Sequence, residues 1–192
     1  MKLWPEKKWK KIVIIAIIAF VIVVASVLGF IFFKINSDYV SEIDVLNTGG
    51  SETALIIYHP GLSSFMKDVT YAFADGLVEN GWRVEITTAS SQAPTDLSDY
   101  SLLALGSPVY ADSPSPTIKR HIQRMGDLEG MNTVLLVTSG GSDGGAEASM
   151  QQTVEEHNGT VKEVLSLFNS IPNEGDSDPL SIAEQAGREI FP

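Results

Sequence analysis

Three short segments concentrate the residues that could do chemistry. The first, His59, Pro60, Gly61, Leu62, Ser63, Ser64, Phe65, Met66 and Lys67, follows a compact apolar run and opens a helical pattern. Small residues there let backbone N–H groups face an anion. Ser63 and Ser64 add hydroxyl donors, the helix N-terminus adds partial positive charge, and Lys67 can add a full one. An ordinary strand-to-helix turn capped by Ser64 accounts for the same residues. The second segment is Gly106, Ser107, Pro108, Val109, Tyr110, Ala111 and Asp112. Gly106 permits close backbone approach, and Tyr110 offers a ring that can stack on a flat ligand. A tight turn with Tyr110 packed on its own domain is the plain alternative. The third runs from Thr138, Ser139, Gly140 and Gly141 to Glu147, and is either a contact loop or a mobile one.

The elements that must position these segments alternate. Compact or alternating apolar runs at 53–58, 83–88, 101–106, 133–138 and 160–168 read as strands. Helical periodicity occupies 65–80, 116–125, 145–158 and 178–190, with Pro116 and Pro179 suited to first turns and Asp178 to a cap. Between the second and third strands, residues 89–100 are polar, so a helix there is short or missing. Continuous apolar strands alternating with helices predict a parallel sheet covered on both faces. In such a sheet, ligands bind outside the carboxyl ends of the strands. All three segments leave those ends.

The chain before residue 53 is different. Residues 12–33 form a 22-residue run with no charge and Ser26 as its single polar side chain. A helix of that length spans roughly 33 Å, against a hydrocarbon core of about 30 Å. This predicts a transmembrane anchor in contact with the lipid bilayer. A cleaved signal peptide would carry a shorter apolar region and a small-residue exit, whereas this run leaves through Phe30, Ile31, Phe32 and Phe33. Lys2, Lys7, Lys8, Lys10 and Lys11 precede it, and Trp4 and Trp9 sit at interfacial positions. The positive-inside rule then places residues 1–11 as a basic cytoplasmic tail and the rest of the chain outside a cell membrane. Residues 34–52, rich in turn formers from Asn47 to Ser51, read as a linker with room for a helical piece over 38–46. Residues 53–192 suit one domain.

Charge and composition exclude several functions. Of the chain's 13 basic and 24 acidic residues, most of the acidic excess falls after residue 34. Such a surface disfavours nucleic acid and anionic lipid. With no cysteine, thiolate metal sites and cysteine nucleophiles are out, and His59, His121 and His157 lack metal-ligand spacing, so no metal is expected. Ser139 lies in Thr-Ser-Gly-Gly rather than a nucleophile elbow, so a hydrolase is disfavoured. Asn158, Gly159 and Thr160 form a glycosylation triplet compatible with outside exposure.

Taken together, YHPGLSS-x-x-K after the first strand, LLALGSPVY after the third and VTSGG…GGAE after the fourth resemble the flavodoxin-like superfamily, flavodoxins and flavodoxin-type quinone reductases, over about residues 53–192. The resemblance implies a five-stranded parallel sheet in order 2-1-3-4-5 with helices on both faces, and FMN as cofactor. By position, Pro60, Gly61, Ser63, Ser64, Met66 and Lys67 fall in the phosphate loop. Gly106, Ser107, Pro108, Val109 and Tyr110 fall beside the isoalloxazine, and Ser139, Gly140 and Gly141 in the third contact loop. The family's phosphate loop reads Ser/Thr-x-Thr-Gly-x-Thr. Here Ser64 replaces the glycine and Met66 the final threonine. The expected function is FMN-dependent electron transfer or reduction of a quinone or other small acceptor, with a redox partner protein or that acceptor as partner. The alternative is a flavin-free extracytoplasmic binding or assembly module on the same fold.

Overall fold

A computed structural model describes residues 8–142, 144–173 and 177–192. The N-terminal lysines up to Lys7, and Trp4, lie outside the described residues, as does Asp143 in the third segment. The chain divides into two compact units, with the break after Asn36.

The first unit is a single helix, α1 (Lys8–Asn36). None of its residues is buried. Its apolar side chains surround it on every side: Ile12, Phe20, Val23, Leu28, Phe30 and Phe33 are all exposed. A helix hydrophobic all round has no solvent-facing stripe to offer a soluble core.

The second unit contains β1 (Asp44–Leu46), β2 (Thr53–Tyr58), α2 (Phe65–Glu79), β3 (Arg83–Thr88), β4 (Leu102–Tyr110), β5 (Ser113–Pro114), α3 (Pro116–Met125), β6 (Asn132–Ser139), α4 (Ala146–Glu156), β7 (Thr160–Phe168) and α5 (Pro179–Glu189). The sheet order is β1-β3-β2-β4-β6-β7, with β5 paired to β4 alone. The five strands from β2 onward that pair in parallel follow the expected 2-1-3-4-5 order. The additions are β1, antiparallel on the edge of β3, and the β5 arm.

Strand β2 shows why both faces are covered. Alternate residues point to opposite sides of a strand. Ala54, Ile56 and Tyr58 pack with Val69, Phe73 and Leu77 of α2 and Ala183 of α5. Leu55 and Ile57 pack with Ile118 and Ile122 of α3 and Met150 and Val154 of α4. Asp178 caps α5 as its position predicts, accepting from Ser181 N at 3.0 Å. No helix forms between β3 and β4, in line with the polar composition there.

Two expectations are corrected. The helical piece over 38–46 is not formed; residues 44–46 pair with β3 instead, Val45 opposite Glu85. Ile43, Val45 and Leu46 favour an extended edge, and the pairing covers an otherwise open strand. Upstream of it, Ser41 Oγ accepts from Thr88 N at 3.1 Å, and Asp38 meets Arg120 of α3 at 3.2 Å. Within the stretch expected as a linker, residues 44–46 are thus built into the sheet, and Asp38 and Ser41 are tied to α3 and the end of β3.

The second correction concerns residues 106–112, expected as a loop. β4 continues to Tyr110, pairing with β6 as far as Pro108 opposite Thr138. It then reverses through Ala111 (φ 46°) and Asp112 (φ 59°) into β5. Both central residues having positive φ fits a tight hairpin turn whose twist matches its strands. Pro108 is tolerated because β2 has already ended opposite Gly106, so no ladder donor is required on that side.

Candidate functional site

The three segments converge at the carboxyl ends of β2, β4 and β6. They border an open cavity of about 130 Å³ whose walls come from 60–63 and 65–66, from 108–110, from 138–140, and from Asn169. Asn169, just past β7, was not anticipated; its position directly after a strand's carboxyl end was the available signal. Wider hollows exist elsewhere. One of about 540 Å³ lies at the amino ends of β4 and β6, bordered by Ser101 and Asn132, remote from all three segments.

The first segment is anchored by His59 N, which donates to Gly106 O at 3.0 Å and extends the ladder by one residue. Gly61 then adopts φ +80°. A β-carbon there would stand 3.3 Å from both Pro108 Cγ and Tyr110 Oη, so this glycine permits the close approach of the first two segments. Ser64 occupies the N-cap of α2, but its side chain makes no capping bond, and both Ser63 and Ser64 are exposed. Their hydroxyls stand at a helix N-terminus without a structural duty there.

Several residues are committed elsewhere. Met66 is buried, and its Sδ accepts from Thr138 Oγ1 at 3.5 Å. Lys67 is turned aside: its Nζ sits 5.5 Å from the centroid of the Tyr71 ring and lines a separate hollow with Tyr39 and Thr88. Gly106 does allow a close approach, but to Tyr58 Cβ and Met66 Cε, which a β-carbon would meet at 2.7 and 2.9 Å. Ser107 is fully buried and accepts from Ser115 N at 2.8 Å, fixing the start of α3. The carbonyls of Ser139 and Gly140 accept from Asn169 N and Ser170 N, and Gly141 packs against Ile171. The cavity itself draws on Pro60, Gly61, Ser63, Met66, Pro108, Val109, Tyr110, Ser139 and Gly140. Of the sequence-predicted residues, Ser64, Lys67, Gly106, Ser107 and Gly141 are not brought into its wall.

What remains uncommitted is informative. Among the described residues, three buried side-chain polar atoms have no hydrogen-bond partner: His59 Nδ1, Tyr110 Oη and Ser139 Oγ. Tyr110 and Ser139 line the cavity, and His59 stacks edge-on against Tyr110, ring centroids 6.2 Å apart. Leaving a buried polar atom unpaired costs about 1–3 kcal/mol. Three together, on three segments from separate parts of the chain, mark a place where a polar ligand is favoured. Burial pushes the Tyr110 hydroxyl up to about 12. Burial, helped by the Arg120 guanidinium and opposed by Asp38, holds His59 down at about 4. At neutral pH the site therefore presents hydroxyls and a neutral imidazole. His121, the other fully buried histidine, is structural: Arg124 donates to its Nδ1 at 2.9 Å, leaving Nε2 to bond Pro94 O. No group of three or more His, Cys, Asp or Glu among the described residues is placed to hold a metal.

This architecture is a flavodoxin-like fold. A flavodoxin from the domain Archaea superposes with a TM-score of 0.53 at 17% identity, covering 71% of this chain and 94% of its own. The two-electron reduced Megasphaera elsdenii flavodoxin gives 0.58 at 17% identity, covering 70% and 98%. The NAD(P)H:quinone oxidoreductase from Methanothermobacter marburgensis gives 0.51 at 18%, covering 72% and 95%. No protein-family model matches the sequence, and no curated protein matches it. The likeness is one of fold, spanning nearly the whole of each of these neighbours.

Proposed function

We propose that this protein is a membrane-tethered, FMN-binding redox protein that passes electrons to a partner protein or reduces a small acceptor such as a quinone. The observation that carries the reading is the set of unpaired buried polar atoms where three segments meet at the carboxyl ends of a flavodoxin-like sheet. The residues present suit a phosphate-bearing ligand: free serine hydroxyls at the start of α2, a glycine-lined approach and two buried hydroxyls facing inward. FMN, when bound, supplies the electron chemistry. The chain's own part is to grip the phosphate near Ser63, keep the ring against residues 108–110 and 139–140, and hold water out. The full-length protein purified in detergent should bind added FMN, with a changed flavin spectrum and a raised unfolding temperature. A colourless protein that FMN neither stabilises nor perturbs would sink the reading.

Two observations favour a second reading, a flavin-free binding module. The hollow is small, about 130 Å³, and Ser107 is consumed in the fold. Under that reading, substitution of Ser63 changes partner binding and no flavin signal.

The tether is α1. Its 29 residues reach about 43 Å at 1.5 Å per residue, enough to cross a hydrocarbon core of about 30 Å, and its exposed apolar surface suits lipid. The lysines before it favour a cytoplasmic N-terminus and an extracytoplasmic domain. The protein should stay with membranes through alkaline carbonate washing, and external protease should remove the domain from intact cells. Release into the wash would contradict the anchor, and full protection would contradict the orientation.

A further inference from the structure

We propose that the carboxyl end of the sheet is a lipid-docking face, on which the folded domain rests against the surface of the bilayer. This rests on the reading of α1 as a membrane anchor, and adds to it a second contact made by the domain itself.

Exposed apolar side chains gather at that end. Among the described residues outside α1, the large apolar side chains that are exposed are Tyr39, Val40, Ile43, Leu62, Ile171 and Phe191. Tyr39, Val40 and Ile43 precede β1, which runs antiparallel to β3, so they lie beside the carboxyl end of β3. There the Tyr39 carbonyl accepts from Thr88 Oγ1. Leu62 follows the carboxyl end of β2, and Ile171 that of β7. Phe191 belongs to the other end, where the neighbouring Ile190 O accepts from Trp82 Nε1 just ahead of β3. Adjoining hollows link these positions. Tyr39 and Pro60 line one, Pro60, Leu62 and Asn169 the next, and Asn169 and Ile171 a third. Exposed acidic side chains stand at both ends, Glu42 and Asp112 here and Asp96, Asp127 and Glu129 at the amino end. Apolar surface, not charge, therefore distinguishes this face, and such a surface marks a contact.

The chain itself selects lipid as what covers it. The apolar part of the anchor ends at Phe33, α1 ends at Asn36, and Asp38 is already bonded to Arg120 at 3.2 Å. Three helical residues and two extended ones reach at most about 12 Å. Ser41 Oγ then accepts from Thr88 N. The carboxyl end is thus the part of the domain leashed to the headgroups, and Tyr39 suits that interface, where aromatic side chains with one polar end concentrate. A leash alone keeps only the β1 edge near lipid. Ile171 lies past β7, at the opposite edge of the sheet, five strand spacings or about 24 Å from β1. Docking of the whole face brings Ile171 to the lipid as well.

The chain has no cysteine, so a single introduced one can carry a fluorophore. Leu62→Cys and Ile171→Cys report the carboxyl end; Glu129→Cys and Asp96→Cys report the amino end. All four replace exposed side chains. The full-length proteins are placed in phosphatidylcholine vesicles containing lipid with a nitroxide on its headgroup. Labels at 62 and 171 should lose most of their fluorescence, and labels at 129 and 96 should keep theirs. Quenching at 62 without 171 would mean a domain hanging by its β1 edge, and would overturn the proposal. Equal quenching at all four positions, or none at any, would overturn it too. Adding Val40→Asp and Leu62→Asp to the Ile171→Cys protein should restore the fluorescence; unchanged quenching would show that these side chains do not hold the face to lipid. A full-length chain that fails to float with the vesicles overturns the anchor, and the docking with it.

Discussion

Gly187→Ala is expected to destabilise the domain by about 2 kcal/mol, although alanine is the better helix former. A β-carbon at Gly187 would strike the backbone oxygen of Phe73 and stand 2.9 Å from Leu77 N. The facing Gly76 has the reciprocal problem: its β-carbon would strike Glu184 O and stand 2.9 Å from Arg188 N. The obstacles are backbone atoms of the opposite helix, so no side chain can rotate away. Alanine gains about 1 kcal/mol of helix propensity over glycine. Overpacking costs about 1–3 kcal/mol, and a clash against backbone that cannot rotate away stands at the upper end of that range. The clash wins because α2 and α5 cover the same face of the sheet, with Phe73, Leu77, Ala183 and Ala186 between them. For a domain of this size the unfolding temperature should fall by roughly 4–8 °C. Gly140→Ala, with nothing within 4 Å of its β-carbon, is the matched control and should leave stability nearly unchanged. Equal melting of Gly187→Ala and the unsubstituted protein would show that the two helices do not pack this closely.

That crossing was not legible beforehand. Gly76 and Gly187 sit inside helical patterns, where a sequence shows only the local cost of glycine; the benefit lies in a partner more than a hundred residues away. The elements themselves were legible, because alternating and continuous apolar runs report which faces a strand buries without reference to any partner. Residues 44–46 were missed for the opposite reason. Three residues carry too little periodicity to separate a strand from a helix, and their stability as a strand comes from β3. The site was half legible. Composition singled out the three segments that converge, but not which atoms stay free. Ser107 and Tyr110 look equally available in GSPVY. Only the fold shows Ser107 spent on Ser115 and Tyr110 left unpaired. His59 likewise reads as one isolated histidine until the hairpin brings Tyr110 against it.

His59 should also make the protein acid-sensitive over a defined range. Its pKa falls from 6.5 to about 4 on folding, because the buried ring resists charging and the Arg120 guanidinium adds to that resistance more than Asp38 relieves it. Between those values the unfolded chain binds a proton that the folded chain refuses. Stability therefore rises with pH across this window, and this contribution is lost as pH falls from about 6.5 to 4. The difference of about 2.5 units corresponds to about 3 kcal/mol at 1.36 kcal/mol per unit. His121, also held down by burial and by Arg124, pulls in the same direction and remains present in a His59 variant. Carboxylates titrate toward the lower end of the range as well, so the informative quantity is a difference between proteins. Urea unfolding at pH 7, 6, 5 and 4 should show the unsubstituted protein losing about 3 kcal/mol more than His59→Asn over that span. Asparagine loses ring packing against Tyr110 at every pH, which offsets the curve without tilting it. Parallel curves would mean that His59 charges freely in the folded state. The ring would then be solvated rather than packed edge-on against Tyr110.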